Sequence, residues 1–232
     1  MKMKALLSST TLLLALSTNA ATAGDLKVKI DVDKKKKTIT VSDNGIGMTD
    51  EEVKKYINQI AFSGAAEFVE KYKEKGDESQ IIGMFGLGFY SAFMVADKVE
   101  IITKSFKDEP AAHWTCDGSP EFTLEAHDKT DRGTEIILHI ADDSTEFLEE
   151  SRIRELLLKY NKFMPIPIKF GTKEINDPAH EPKTTKDKDG KETTEPHKQI
   201  TVDNIINNPN PAWTKQPADL EDQDYIDFYR EL

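Results

Sequence analysis

Two glycine-rich turns constrain this chain more than any other feature, because each opens onto a helix pattern. The first is Asp43-Asn44-Gly45-Ile46-Gly47-Met48, and the second is Gly83-Met84-Phe85-Gly86-Leu87-Gly88. Glycine reaches positive φ without the Cβ penalty and lets a ligand approach the backbone. Before the first turn, residues 26–32 and 38–42 alternate apolar and polar around the charged run 33–37, which reads as a β-hairpin. After it, Thr49 with Glu52 three residues on is a capping box, predicting a helix to about Phe62. The apolar residues 89–96 after the second turn read as a buried helix.

Further strands are expected at 99–103, 113–117, 122–126 and 134–140. Ser144 is expected to cap a helix reaching Phe163, with Phe147, Leu148, Ile153, Leu156, Leu157 and Tyr160 at helical spacing. Pro165 and Pro167 end it, and residues 168–170 have the pattern to close the sheet. Residues 171–198 are almost all Lys, Asp, Glu, Thr and Pro, which reads as a linker or a solvated loop. Residues 200–232 are too few to own a core and read as the opening of a further domain.

The formal net charge of −11 argues against non-specific nucleic-acid binding, which depends on neutralising phosphates. The single cysteine, Cys116, excludes an intramolecular disulfide. His113, His127, His139, His180 and His197 have no metal-ligand spacing. Residues 1–23 carry Lys2 and Lys4, an apolar run over 5–16 and Ala21-Thr22-Ala23, the form of a secretory signal. That run is too short to span a bilayer, which needs ~20 apolar residues.

The chemistry of the turns points to a flat, charged ligand. Asp43 at a strand end can accept from an exocyclic amine, and Met48 offers a polarizable contact to a ring. Read alone, the same residues are also an ordinary Asp-Asn-Gly turn. The second turn, G-x-x-G-x-G, fits neither a dinucleotide fingerprint nor a P-loop. A glycine turn opening a helix still presents free N–H groups and a positive dipole end to an anion. Alternatively, it is a tight turn with glycines for close packing. Arg132-Gly133-Thr134, opening a strand, is the third element.

In order and spacing, SDNGIGMT, IIGMFGLGFYSAFMVADKVEI, RGTEIILHI, NPAWTK and DFYREL resemble the heat-shock protein 90 family, bacterial HtpG type. The resemblance covers residues 24–232. It implies an α+β chain, a two-layer sandwich with a mostly antiparallel sheet. This is the Bergerat fold shared by gyrase, heat-shock chaperones, histidine kinases and mismatch-repair ATPases. The implied divisions are an ATP-binding domain over 24–170, a charged linker over 171–199 and the beginning of a middle domain over 200–232. By position, Asp43 resembles the adenine-binding aspartate, and Gly45, Gly47 and Met48 the residues lining the base. Thr134 would join the same network, and Asn58 would be a further nucleotide contact. Gly83, Gly86, Leu87, Gly88 and Phe89 would wrap the phosphates, under a lid resembling residues 65–82.

The family's first nucleotide motif sets a Glu, the general base, four residues before an Asn that completes the Mg²⁺ site. None of the asparagines in this chain has a Glu at that spacing. The resemblance therefore implies a fold lacking its first helix layer, with no catalytic residue and no metal-binding side chain. Lys2-Met3-Lys4-Ala5-Leu6 resembles the end of that helix, which makes residues 1–23 either a truncated helix or an export signal. The γ-phosphate arginine, the client-binding surfaces and the dimerisation domain of relatives have no counterpart here. The expectation is an ATP/ADP-binding chaperone fragment of the cytoplasm with impaired hydrolysis. Unfolded client proteins are its implied partners, homodimerisation is the family habit, and nucleic acid and membrane are not partners. The alternatives are an exported, non-enzymatic binding protein on a degenerate ATPase fold, and a gene fragment without function.

Overall fold

The computed structural model describes residues 26–59, 88–180, 184–186 and 192–231. Its core is a sheet built from β1 (Val28–Asp33), β2 (Thr38–Asp43), β3 (Ala96–Lys104), β4 (Ala111–Cys116), β5 (Thr123–His127), β6 (Gly133–Ile140), β7 (Ile168–Asn176) and β10 (Gln199–Ile205). The order across the sheet is β10-β7-β1-β2-β6-β3-β4-β5. Only β1 and β7 run parallel, and every other neighbouring pair is antiparallel. Alternation decides the two faces. Ile30, Ile39, Val41, Leu138, Val99, Ile101 and Trp114 point to one side and are buried. Lys29, Asp31 and Thr40 lie on the other side and are wholly or partly exposed.

Among the described residues, two α-helices pack on the buried side, with Val53, Ile153, Leu156 and Leu157 in the core. The helix α1 (Asp50–Tyr56) begins with the expected capping box: the Glu52 N–H donates to Thr49 Oγ1 at 3.2 Å, and the Thr49 N–H to Glu52 Oε2 at 2.9 Å. It ends at Tyr56 with Ile57 as C-cap, and the expected continuation over 60–62 lies outside the described residues. Residues Phe89–Met94 form a 3-10 helix rather than an α-helix, and β3 already begins at Ala96. The helix expected from Ser144 is also divided. A 3-10 stretch, Asp142–Leu148, precedes α2 (Glu150–Tyr160), whose N-cap is Glu149. Ser144 sits at φ −122°, ψ 17°, outside helical geometry, and donates its hydroxyl to Asp143 Oδ1 at 2.8 Å instead. The apolar spacing was nevertheless right: Phe147, Leu148, Ile153, Leu156 and Leu157 are all buried.

The charged segment after Phe170 begins as strand. β7 runs on to Asn176 and β10 returns beside it, while β8 (Thr184–Lys186) and β9 (Glu192–Thr194) pair further out. Residues 199–205 thus extend the main sheet. Asn207 locks this return. Its Oδ1 accepts from the Ile168 N–H at 2.7 Å, and its Nδ2 donates to the carbonyls of Met164 at 2.8 Å and Ile166 at 2.9 Å. Truncating it would strand buried backbone groups, each costing ~1–3 kcal/mol. Asn207→Ala is therefore expected to lower unfolding free energy by about 2–4 kcal/mol in urea titrations. An unchanged midpoint would contradict this role. Beyond it, Trp213 packs edge-on against Phe163 (4.7 Å between centroids) and Phe228 (5.5 Å), seating α3 (Asp222–Glu231).

One polar cluster crosses three strands on the open face. Glu100 on β3 accepts from His139 Nε2 on β6 at 2.6 Å, His113 Nε2 on β4 at 2.7 Å and Lys98 Nζ at 2.9 Å. Burial alone would raise this carboxyl, but the bonds from Lys98, His139 and His113 outweigh it and hold it down at about 2. A carboxyl depressed on folding stabilises the chain above its ordinary value of 4.5, and this is lost as pH falls toward 2. Glu100→Gln is expected to cost on the order of 1 kcal/mol at pH 7 and to flatten the stability loss between pH 4.5 and 2. Parallel urea midpoints for the two proteins at pH 7 and pH 3 check it. A constant difference between them would exclude the carboxylate.

Candidate nucleotide site

The strand ends of β2, β3 and β6 converge on one carboxylate. Asp43 closes β2, and its Oδ1 accepts from the Gly45 N–H at 2.8 Å and the Thr134 N–H at 3.3 Å. Its second oxygen has no hydrogen-bond partner among the described residues. Burial pushes the carboxyl up to about 6, against the lowering pull of the Gly45 and Thr134 amides and of Lys129. A half-buried acceptor with one oxygen unused suits a ligand that brings its own N–H donors.

The loop around it is clamped from both sides. The Lys27 N–H donates to Asn44 Oδ1 at 2.8 Å, and the Phe106 N–H to the Ile46 carbonyl at 2.8 Å. The buried Met48 gives its N–H to Thr103 Oγ1 at 2.9 Å. Gly47 takes φ +62°, and a Cβ there would lie 1.9 Å from the Lys104 carbonyl oxygen. Gly45 does not use positive φ. Gly133 takes φ +117°, and its Cβ would lie 2.1 Å from the Asp43 carbonyl oxygen. The Gly-Thr pair on β6 therefore belongs to the site through both residues.

Among the expected site residues, Asp43, Gly45, Gly47, Met48 and Thr134 come together here. Asn58 is committed elsewhere: its Oδ1 accepts from Trp114 Nε1 at 2.8 Å. That leaves only its amide hydrogens to offer a ligand. Phe89 meets Trp114 edge-on at 5.6 Å, and the Tyr90 hydroxyl donates to the Ile57 carbonyl, so Gly88 and Phe89 are tied to the end of α1. Gly83, Gly86, Leu87 and the lid over 65–82 lie outside the described residues. No group of three or more His, Cys, Asp or Glu that could hold a metal occurs among the described residues. No described helix is long and apolar enough to cross a membrane.

Sequence reasoning noted Gly133 only as part of Arg132-Gly133-Thr134, without a role in the site, and missed Thr103. The positive φ that fixes Gly133 has no signature beyond the glycine itself. Thr103 reads as one more alternating strand residue, although a Thr among Ile neighbours on an inward-facing position was a signal.

The model of the family described as histidine kinase-, DNA gyrase B-, and HSP90-like ATPase matches residues 7–143. That of the family described as Hsp90 protein matches residues 146–232. The chain is 58% identical over 210 residues to chaperone protein HtpG of Bacteroides thetaiotaomicron, covering 90% of this chain and 28% of that protein. It is 55% identical over 210 residues to chaperone protein HtpG of Porphyromonas gingivalis, with the same 90% and 28% coverage. The HtpG of Idiomarina loihiensis is 39% identical over 209 residues, 89% of this chain and 31% of that protein. The chain thus spans under a third of the length of the curated relatives it matches.

Proposed function

Because the chain belongs to the heat-shock protein 90 family of ATPases, in its HtpG form, we propose that it holds ATP and ADP by the adenine ring at Asp43. Its α+β sheet is the Bergerat ATPase fold of that family. The observation that carries the adenine reading is the Asp43 carboxylate, with one oxygen tied to two backbone amides and the other unused. An exocyclic amine satisfies that oxygen, and Gly47 and Met48 bring backbone and a polarizable wall close to the ring. By the family resemblance the phosphates would lie toward Gly88 and Phe89, and Gly83, Gly86 and Leu87 would be further contacts.

In this reading the 232 residues bind nucleotide without turning it over. No Asn in the chain has a Glu four residues before it, so the pair that would activate water and complete a Mg²⁺ shell is missing. Mg²⁺ would reach the site on the nucleotide's own phosphates. The work the chain shares in is ATP-dependent folding of unfolded client proteins in the cytoplasm, with homodimerisation a property of the longer relatives. Calorimetry of the chain with ADP, with and without Mg²⁺, tests binding. Heat of binding that Mg²⁺ changes little is expected, and no heat at millimolar ADP would overturn the reading.

A further inference from the structure

Thr103 joins the end of the base-binding loop at Met48 to the Gly133-Thr134 pair on β6. It lies on β3 directly opposite Thr134 on β6, and both are buried, at 0% and 1% exposure. Its Oγ1 lies 2.9 Å from the Met48 nitrogen, 3.0 Å from Thr134 Oγ1 and 3.4 Å from the Gly133 carbonyl oxygen.

A hydroxyl has one proton and two lone pairs. The Met48 N–H takes one lone pair. Its proton has two acceptors in reach, Thr134 Oγ1 and the Gly133 carbonyl, and either threonine hydroxyl can donate to the other. When Thr103 donates to Thr134, the shorter contact, Thr134 keeps its own proton to donate away from Thr103, near the Asp43 carboxylate that accepts from its backbone N–H. The loop therefore offers an acceptor and a donor side by side. Adenine presents the complementary pair along its amine edge, a donor then an acceptor. Hypoxanthine presents the same two roles in reverse.

We propose that Thr103 is a positioning residue that sets adenine selectivity, fixing the Met48 amide and the direction of the Thr134 hydroxyl without touching the nucleotide. This rests on the reading of Asp43 as the adenine acceptor. The role belongs to the hydroxyl alone. Thr103→Val keeps the volume but removes both the acceptor for Met48 and the donor to Thr134, and Thr103→Ser keeps both.

The test uses the 232-residue chain with two readouts. Calorimetry with ADP and IDP measures selectivity, and amide hydrogen exchange at Met48 measures loop fixation without nucleotide. Thr103→Val is expected to weaken ADP about tenfold, to leave IDP within about twofold and to speed exchange at Met48. Thr103→Ser is expected to restore all three. Equal losses for ADP and IDP would make Thr103 a packing residue and overturn the proposal. So would unchanged selectivity with Met48 still protected. If the unsubstituted chain bound neither nucleotide, the adenine reading would fall. Exchange at Met48 would still decide whether Thr103 holds the loop. Should Thr103→Val lose cooperative melting, Thr103→Cys replaces it, with affinity for ADP expected in the order Thr, Ser, then Cys.

Discussion

Asp43→Asn is expected to abolish ADP binding and at the same time to make the empty chain more stable. The two effects have one cause. Burial pushes the Asp43 carboxyl up to about 6 from an ordinary 3.8, so ionising it costs more in the folded chain than in the unfolded one. For a group raised on folding, its stabilising contribution is complete below 3.8 and is lost as pH rises through about 6. At neutral pH the folded chain therefore carries a charge it is destabilised by, on the order of 1–3 kcal/mol. Asparagine removes the charge while its carbonyl still accepts from Gly45 and Thr134. Its amide hydrogens then face the ligand's own donors, and a buried donor–donor clash costs about 2–3 kcal/mol or more, roughly 100-fold in affinity. Thermal melts with and without ADP check both halves: a higher midpoint for the empty variant, and no shift on adding ADP. The same reasoning predicts that ADP affinity of the unsubstituted chain falls as pH drops below about 6. A variant that melts lower and still binds ADP would contradict the assignment.

Gly47→Ala is expected to cost about 3 kcal/mol or more and to remove cooperative melting near room temperature. A Cβ would sit 1.9 Å from the Lys104 carbonyl oxygen and 2.5 Å from its carbon, and backbone on that scale cannot step aside. Gly171 separates this clash from the cost of positive φ. It takes φ +71°, close to the +62° of Gly47, but a Cβ there would meet nothing within 4 Å. Gly171→Ala is therefore expected to cost only about 1 kcal/mol, the penalty of the left-handed region alone. Urea midpoints for the two variants measure the difference directly. Equal effects would mean that β3 does not clamp the loop.

What could be read in advance follows from where the information lies. The alternation of Val28 and Ile30 with Lys29 and Asp31, and the Thr49–Glu52 capping box, are local and were legible. Asp43 stood out in the sequence at a strand end beside glycines, whereas Thr134 entered only through the family resemblance; the structure sets the Thr134 N–H on Asp43 Oδ1. The extension of β7 to Asn176 and its pairing with β10 were not. Lys173 and Glu174 are exposed on both faces, so nothing in their pattern distinguishes a strand from a loop. Ser144 had the composition of a helix cap, but Glu149 took the position because the backbone turns at Ser144. The Glu100 cluster joins residues of three strands and exists only through their register.

The most direct measurement is calorimetric titration of ADP into the 232-residue chain and into its Asp43→Asn variant, in the same buffer, with ATP turnover followed on the same samples. Saturable binding by the first, none by the second and no turnover by either is the result this account predicts. Equal heats from both proteins, or sustained release of phosphate by the unsubstituted chain, would contradict it.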